Sequence, residues 1–496
     1  MTQLPEGFKK RMRELLGEEY EAFAASYEKE RVQGLRFNSL KTAKGREEGW
    51  ETGLGADMAD FVREREGLTL KHIPWVKEGY YYGSGSRPGK HPFHEAGLYY
   101  IQEPSAMAVA ELLDPVPGEL VLDLCAAPGG KSSHIASRLK GRGLLVSNEI
   151  HPTRAKILSQ NMERMGAVNV VVTNEDPRRL SGRFEEFFHK IIVDAPCSGE
   201  GMFRKDEEAR NEWSEEHVRM CADRQTEILD RAARMLRPGG RLVYSTCTFA
   251  PEENEGTILT FLMEHKDFYL EKVPAYEGFL EGRPDWASYK RQLPCSTEEI
   301  RDFHLEHTLR IMPHRLEGEG HFIAVLRKKE GDVREQKRKE PAYLDKKKEK
   351  ECMKSLEQFL SDTLQSPENY RKRKEYVMFG DQLYLLPAQM PDMKGLKVLR
   401  PGLHMGTLLK NRFEPSHALA LALLPGEAKG SYEMSADSEA VIRYLKGEAL
   451  PCEPERLHGK EKGWVLVCVD GISLGWCKLA GGILKNHYPK GLRWKG

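Results

Sequence analysis

Two cysteines follow short apolar runs closely enough to do chemistry together. Cys197 stands in Asp194-Ala-Pro-Cys-Ser-Gly199, after Ile191-Ile-Val193, and Cys247 stands in Ser245-Thr-Cys-Thr248, after Leu242-Val-Tyr244. A lone cysteine is often only a small buried apolar residue. Two thiols and a carboxyl group, Asp194, each at the end of a strand-like run, read instead as a reaction site. A thiolate attacks electron-poor carbon, and a carboxyl group beside it can carry charge or a proton. A thiolate adding to an electron-poor ring carbon makes the neighbouring carbon enamine-like, so such a site can activate a weakly nucleophilic ring toward an electrophile. Asp194 is placed to neutralise the charge that develops on such a ring, as a carboxyl group poised between acid and base. Spacing alone leaves open which of the two thiols attacks.

A second group of residues suits a bound nucleoside. Val121-Leu-Asp-Leu-Cys-Ala-Ala-Pro-Gly-Gly-Lys131 runs from an apolar strand through a loop of small residues into a helix opened by Ser132. Small residues let a ligand approach the backbone, and a helix N-terminus offers free N–H groups. The loop matches neither a Walker motif nor G-x-G-x-x-G, so phosphate is not the expected cargo. Glu149 follows the next run, Leu144–Asn148, where a carboxylate can accept from both ribose hydroxyls. Asp176 follows Val170–Thr173, placed to meet an adenine amino group. Two carboxylates on successive strand ends fit a nucleoside without phosphates.

These residues need a scaffold that brings strand ends to one edge. From 101 to 327, β-branched runs (Leu120–Leu124, Gly143–Asn148, Val168–Thr173, Lys190–Val193, Arg241–Ser245) alternate with helical patterns at Ser132–Leu139, Pro152–Met165 and Ser214–Leu236. Such alternation predicts βαβ units and a doubly wound, Rossmann-like α/β core, with ligands at the carboxyl edge and strands four and five as neighbours. Thr308–Arg310 and His321–Leu326 read as two closing strands. Residues 1–100 read as a small α+β region: an amphipathic helix over 8–28, a strand around Leu35–Leu40, and a mixed stretch beyond. Residues 328–350 are a charged linker carrying Lys328, Lys329, Lys337, Arg338, Lys339 and Lys346–Lys348, read as a solvated linker or linker-plus-helix, with an RNA phosphate track as the alternative. Residues 351–496 read as a separate, mostly β domain, with a helix at Cys352–Asp362 and strands at Gln382–Leu386, Gly463–Val469 and Ile472–Lys478.

Composition narrows the setting. The 496 residues carry 76 basic and 76 acidic side chains, so any nucleic-acid surface must be local. The nine cysteines form no C-x-x-C pair, which argues against a zinc site and a disulfide framework. No metal is expected. Neither a signal peptide nor an uninterrupted apolar span is present, so a cytoplasmic protein is expected. Cys221, Cys295, Cys352, Cys452, Cys468 and Cys477 have no motif around them and are read as structural. So are His404 and His417, in fold or surface roles. Phe203, Arg204 and Lys205 follow the Cys197 loop and are candidates either to stack on or clamp a nucleotide or simply to pack.

The segments Asp123-Leu-Cys-Ala-Ala-Pro-Gly-Gly-Lys131, Asp194-Ala-Pro-Cys-Ser-Gly-Glu-Gly201 and Tyr244-Ser-Thr-Cys-Thr-Phe249 resemble the Sun-type RNA cytosine-5 methyltransferases. The resemblance spans about residues 30–327 and includes Leu35-Arg-Phe-Asn38 and Gly97–Ser105. Cys197–Asp206 is similar to the RsmF-like ribosomal RNA branch, and Arg400-Pro-Gly-Leu-His-Met-Gly406 to its PUA-like C-terminal RNA-binding domain. The resemblance implies a monomeric enzyme that methylates 16S ribosomal RNA or the 30S subunit with S-adenosyl-L-methionine. It implies donor binding by Cys125, Ala126, Ala127, Pro128, Gly129, Gly130, Lys131, Glu149, Asp176 and Asp194. It assigns Cys247 as nucleophile and Cys197 to product release. The same chemistry on transfer RNA, or a non-catalytic assembly factor on this fold, are the alternatives; the presence of Asp194, Cys197 and Cys247 together argues against the latter. A DNA cytosine methyltransferase would carry its nucleophile after the fourth strand and leave the Thr246-Cys247 loop unexplained.

Overall fold

The computed structural model describes residues 4–42, 54–289, 297–332, 346–371, 376–410 and 412–495. Cys295 and the Lys337–Lys339 part of the charged run lie outside the described residues. The central sheet is built from β1 (Leu120–Asp123), β2 (Leu144–Asn148), β3 (Val170–Thr173), β4 (Phe188–Asp194), β5 (Leu236–Thr246), β6 (Phe268–Leu270), β7 (Phe279–Glu281), β8 (Leu309–Ile311), β9 (His321–Lys328) and β10 (Val398–Arg400). Its order is β7-β8-β9-β5-β4-β1-β2-β3-β10, with β6 also pairing β9. Strands β1 to β5 pair in parallel. β9 then enters antiparallel beside β5.

Successive residues of these strands point to opposite faces, and both faces are buried. Leu122, Val146, Ile191 and Leu242 join one apolar cluster, while Val121, Leu145, Ile192 and Val243 join the other. That explains why the strands read as continuous apolar runs rather than alternating ones. Helices α1 (Pro104–Leu113), α2 (Gly130–Leu139) and α3 (Pro152–Arg164) cover the second face; α4 (Glu215–Met235) and α5 (Glu255–Glu264) cover the first. The doubly wound core is as expected, and β4 and β5 are neighbours. α1 and α5, which the sequence reading did not single out, complete the two layers.

The flanking regions are bound to this core. The N-terminal helix breaks at Gly17, whose φ is +54°, into Glu6–Leu16 and Tyr20–Ser26. A four-stranded antiparallel sheet (Leu70–His72, Gly79–Tyr82, Gln33–Phe37, Tyr99–Ile101) follows. Arg36 from this sheet donates to Ser133 Oγ at 2.7 Å and to the Gly130 carbonyl at 3.2 Å. At the other end, Val398–Arg400 pairs with β3, and buried Arg400 donates to the Ala167 carbonyl at 3.0 Å. The C-terminal region is therefore not a detached module. It holds a four-stranded sheet spanning 376–415 and a six-stranded sheet spanning 430–486. His404, stacked on Tyr384 with ring centroids 4.7 Å apart, and half-buried His417, against Tyr488, serve these packings.

One buried pair ties the closing strands to the helical layer. Arg310 of β8 donates through Nε to Glu255 Oε1 at 2.7 Å, again to Oε2, and through Nη1 to the Phe249 carbonyl at 3.1 Å. Both side chains are buried. Removing one partner of a buried pair strands the other charge, so Arg310→Met should lower the unfolding free energy by about 3–5 kcal/mol. Chemical denaturation checks this; a loss under about 1 kcal/mol would mean that Glu255 finds other partners.

Candidate active site

The carboxyl ends of β1, β2, β3, β4 and β5 open onto one cavity of about 890 Å³. Of the expected residues, Cys125, Ala127, Glu149, Asp176, Asp194, Cys197 and Cys247 line it. The remaining loop residues build the turn. Ala126 N donates to the Asn148 carbonyl at 2.8 Å, and the Pro128 carbonyl accepts from Asn161. Gly129 has a φ of +116° at the start of α2, a conformation that costs a side chain. A Cβ there would also press Met162 and Leu158 at 3.1 and 3.2 Å.

The donor end carries the chemistry of a ribose and a base. Glu149 is buried; it accepts from His151 N at 2.9 Å and lies 3.7 Å from Arg154. Asp176 is exposed and caps the short helix after β3 by accepting from Arg178 N at 2.7 Å. The same cavity wall carries Ile150, 59% exposed. It offers an apolar face for an adenine and was missed by sequence reasoning, because one exposed isoleucine carries no signal. Asp123 sits behind the loop, where burial pushes its carboxyl up to about 7 against its hydrogen bond from Ser132. The donor set, a buried carboxylate for a diol and an apolar wall for a base, fits S-adenosylmethionine.

At the reaction end, Asp194 links the two halves. Lys131 Nζ lies 2.7 Å from Asp194 Oδ2, Ser245 Oγ donates to Oδ1 at 2.8 Å, and His321 Nε2 is 3.6 Å away. Burial works to raise the carboxyl, but the Lys131 ammonium and then His321 outweigh it and hold Asp194 well below the usual carboxylate range. Asp194 is thus held as a carboxylate by its contact with Lys131, where the sequence reading gave a carboxyl group poised between acid and base.

The two thiols meet. Cys197 Sγ and Cys247 Sγ are 3.3 Å apart. The Cys197 thiol is pushed well above its ordinary range, first by its hydrogen bond with Cys247 and then by burial. The two loops are also joined through the Gly201 N–H, which donates to the Cys247 carbonyl at 2.7 Å. The expected clamp from Phe203 and Arg204 is corrected. Phe203 is buried against Phe8, with centroids 5.0 Å apart, and Arg204 is spent on Glu319, Ser26 and Gly318. Lys205 alone of the three is exposed.

This fold and site are those of a Rossmann-like, S-adenosylmethionine-dependent methyltransferase. A family model described as 16S rRNA methyltransferase RsmB/F matches residues 110–327. Models for the N-terminal domain, the first C-terminal domain and the PUA domain of the RsmF methyltransferase match 4–104, 358–423 and 431–494. The chain belongs to the 16S rRNA methyltransferase RsmB/F family. It is 32% identical to the ribosomal RNA small subunit methyltransferase F of Vibrio parahaemolyticus, over 95% of this chain and 93% of that one. It is 30% identical to that of Vibrio vulnificus, over 99% and 97%. Among solved structures, a methyltransferase homologue from Pyrococcus horikoshii is similar at TM-score 0.55 and 29% identity, over 65% of this chain and 95% of that one. NSun6 from Pyrococcus horikoshii, solved with SFG, shares the fold at TM-score 0.51 and 22% identity, over 66% and 100%. Arg400–Gly406, expected in the PUA-like part, falls in the first C-terminal match instead.

The Asp194 pair makes a pH-dependent contribution. A depressed carboxyl stabilises the fold above its unfolded value, about 3.9, and that stability is lost as pH falls through the folded value. Lys131→Met should therefore be less stable than the wild type at about pH 8, with the gap narrowing from about pH 8 to about pH 4 as the carboxyl left to burial takes up a proton in the variant. Thermal melts across that range check it; a gap that widens in acid would contradict the pairing.

Proposed function

We propose that this chain transfers a methyl group from S-adenosylmethionine to carbon 5 of a cytosine in 16S ribosomal RNA, through a covalent adduct of Cys247. The observation that carries this is the 3.3 Å approach of two cysteine sulfurs on the wall of the donor cavity. Which sulfur attacks is taken from the family pattern, in which Cys247 adds to carbon 6; the raised Cys197 thiol supports that choice. The bound donor supplies an electrophilic methyl group, which the enamine carbon 5 takes. Asp194, on the cavity wall, passes a proton from its partner Lys131 to the cytosine ring nitrogen edge as charge develops there. Solvent entering the open cavity takes the carbon 5 proton as base, the 5,6 double bond re-forms and Cys247 leaves as a thiolate, with the Cys197 thiol donating a hydrogen bond to the departing sulfur. Glu149 holds the ribose hydroxyls and Asp176 faces the adenine.

The target base must leave its stack to reach a sulfur at this depth. The relatives named for the small ribosomal subunit and the PUA match at 431–494 favour ribosomal over transfer RNA. A ribosomal substrate implies a cytoplasmic protein.

With labelled S-adenosylmethionine and 30S subunits or 16S RNA, Cys247→Ala should lose methyl incorporation by at least about a thousandfold, as removal of a nucleophile does. Cys197→Ala should instead accumulate a covalent protein–RNA species on denaturing gels. Full incorporation by Cys247→Ala would overturn the mechanism. Separately, Glu149→Ala should weaken donor binding by about tenfold or more in calorimetry, the worth of a charged hydrogen bond or two; unchanged affinity would remove it from the donor site.

A further inference from the structure

Glu253 lies in the turn between Cys247 and α5, and its side chain is buried. The charge acting most strongly on it is another carboxylate, Glu200, rather than a cation. Three donors converge on its carboxyl group. Ser198 N reaches Oε2 at 2.9 Å, Gln225 Nε2 reaches the same oxygen at 2.8 Å, and the Ser198 hydroxyl reaches Oε1. Gln225 also donates to the Pro196 carbonyl at 3.0 Å, and the Tyr244 hydroxyl lies 2.9 Å from Gln225 Oε1. Thr248 Oγ1, beside Cys247, is 2.9 Å from Ser198 Oγ. Residues on both sides of Cys197 are thus held from one buried carboxyl group.

We infer that Glu253 is the positioning residue of the Cys197 loop, holding that thiol against Cys247 so that the methylated product can be released. The inference rests on the division of labour between the two cysteines proposed above. A buried carboxyl group without a cation is costly, and burial followed by Glu200 pushes Glu253 up to about 7, against the bonds from Ser198 and Gln225. The groups facing it are Cys197 and Ser198 from the loop, Cys221 and Gln225 from α4, Tyr244 from β5, and Glu200. The ionised form accepts all three bonds and adds to the hold on the Cys197 proton. The neutral form carries its own hydrogen into a ring of donors and holds the loop less well. As pH rises through about 7, release should therefore become faster.

The test follows the covalent protein–RNA fraction and single-turnover methyl transfer in the full chain, from pH 6 to 8.5, for wild type, Glu253→Gln, Ser198→Ala and Cys197→Ala. In the wild type the adduct fraction should fall as pH rises. Glu253→Gln should keep single-turnover transfer within about threefold, show several-fold more adduct at pH 8, and lose the pH step. Ser198→Ala should shift in the same direction by less, and it decides the matter if thermal melts show Glu253→Gln unfolded. Wild-type adduct levels and slope in Glu253→Gln would overturn the inference, as would equal loss of transfer and adduct. If Cys197→Ala traps no adduct, the assignment of the cysteines fails; if it does and Glu253→Gln does not, the failure belongs to Glu253 alone.

Discussion

Asp194 and Ser245 are partners across the parallel strands β4 and β5, and that register governs the reaction site. Cys197 comes three residues after one and Cys247 two after the other, so the loops leaving this pair bring the sulfurs together. Side chains alternate along a strand, so a slip of one residue would turn Asp194 and its neighbours to the wrong face. The slip is resisted because both faces of the sheet are packed: Ile191 and Val193 lie on one side, Ile192 on the other. The apolar core thereby sets the distance between two polar atoms at its edge.

Charge then couples the site to the rest of the chain. Lys131 belongs to the donor loop and Asp194 to the reaction edge, so their contact makes one unit of the two. The Cys197 loop is gripped further along by Glu200. This carboxylate accepts from Phe249 N at 2.9 Å and Trp213 Nε1 at 2.9 Å, and pairs with Arg11 of the first helix at 3.1 Å. Arg11 and Glu200 are fully enclosed. Buried charges persist only with partners, so the N-terminal helix cannot shift without stranding them. Arg36 performs the matching task at the start of α2. The N-terminal region thus acts as a brace for both ends of the cavity, in addition to any contact with RNA.

Much of this was readable in advance. The runs at Leu144–Asn148 and Gly463–Val469 became strands over those residues, and α4 spans Glu215–Met235 within a residue of its expected ends. Long periodic or β-branched segments announce themselves because local sterics and burial act on consecutive residues. Val398–Arg400 did not, since three residues hold no period; they became a strand because β3 offered an open edge. Phe203 and Arg204 looked like RNA contacts because they follow the Cys197 loop. Phe8 and Glu319, nearly two hundred and more than a hundred residues away, claimed them instead.

Residue order alone therefore determined the class of core, the small-residue loop after β1 and the presence of two strand-end thiols, because each is written in neighbouring residues. It could not show that the two thiols meet, which depends on a contact between residues fifty apart, or that a buried carboxyl group on a third segment holds the Cys197 loop. Nor could it show that Asp194 stays charged, which depends on Lys131 arriving from β1's loop and His321 from β9. Protonation is set by burial and by which groups face each other, and those are fixed only when distant segments pack.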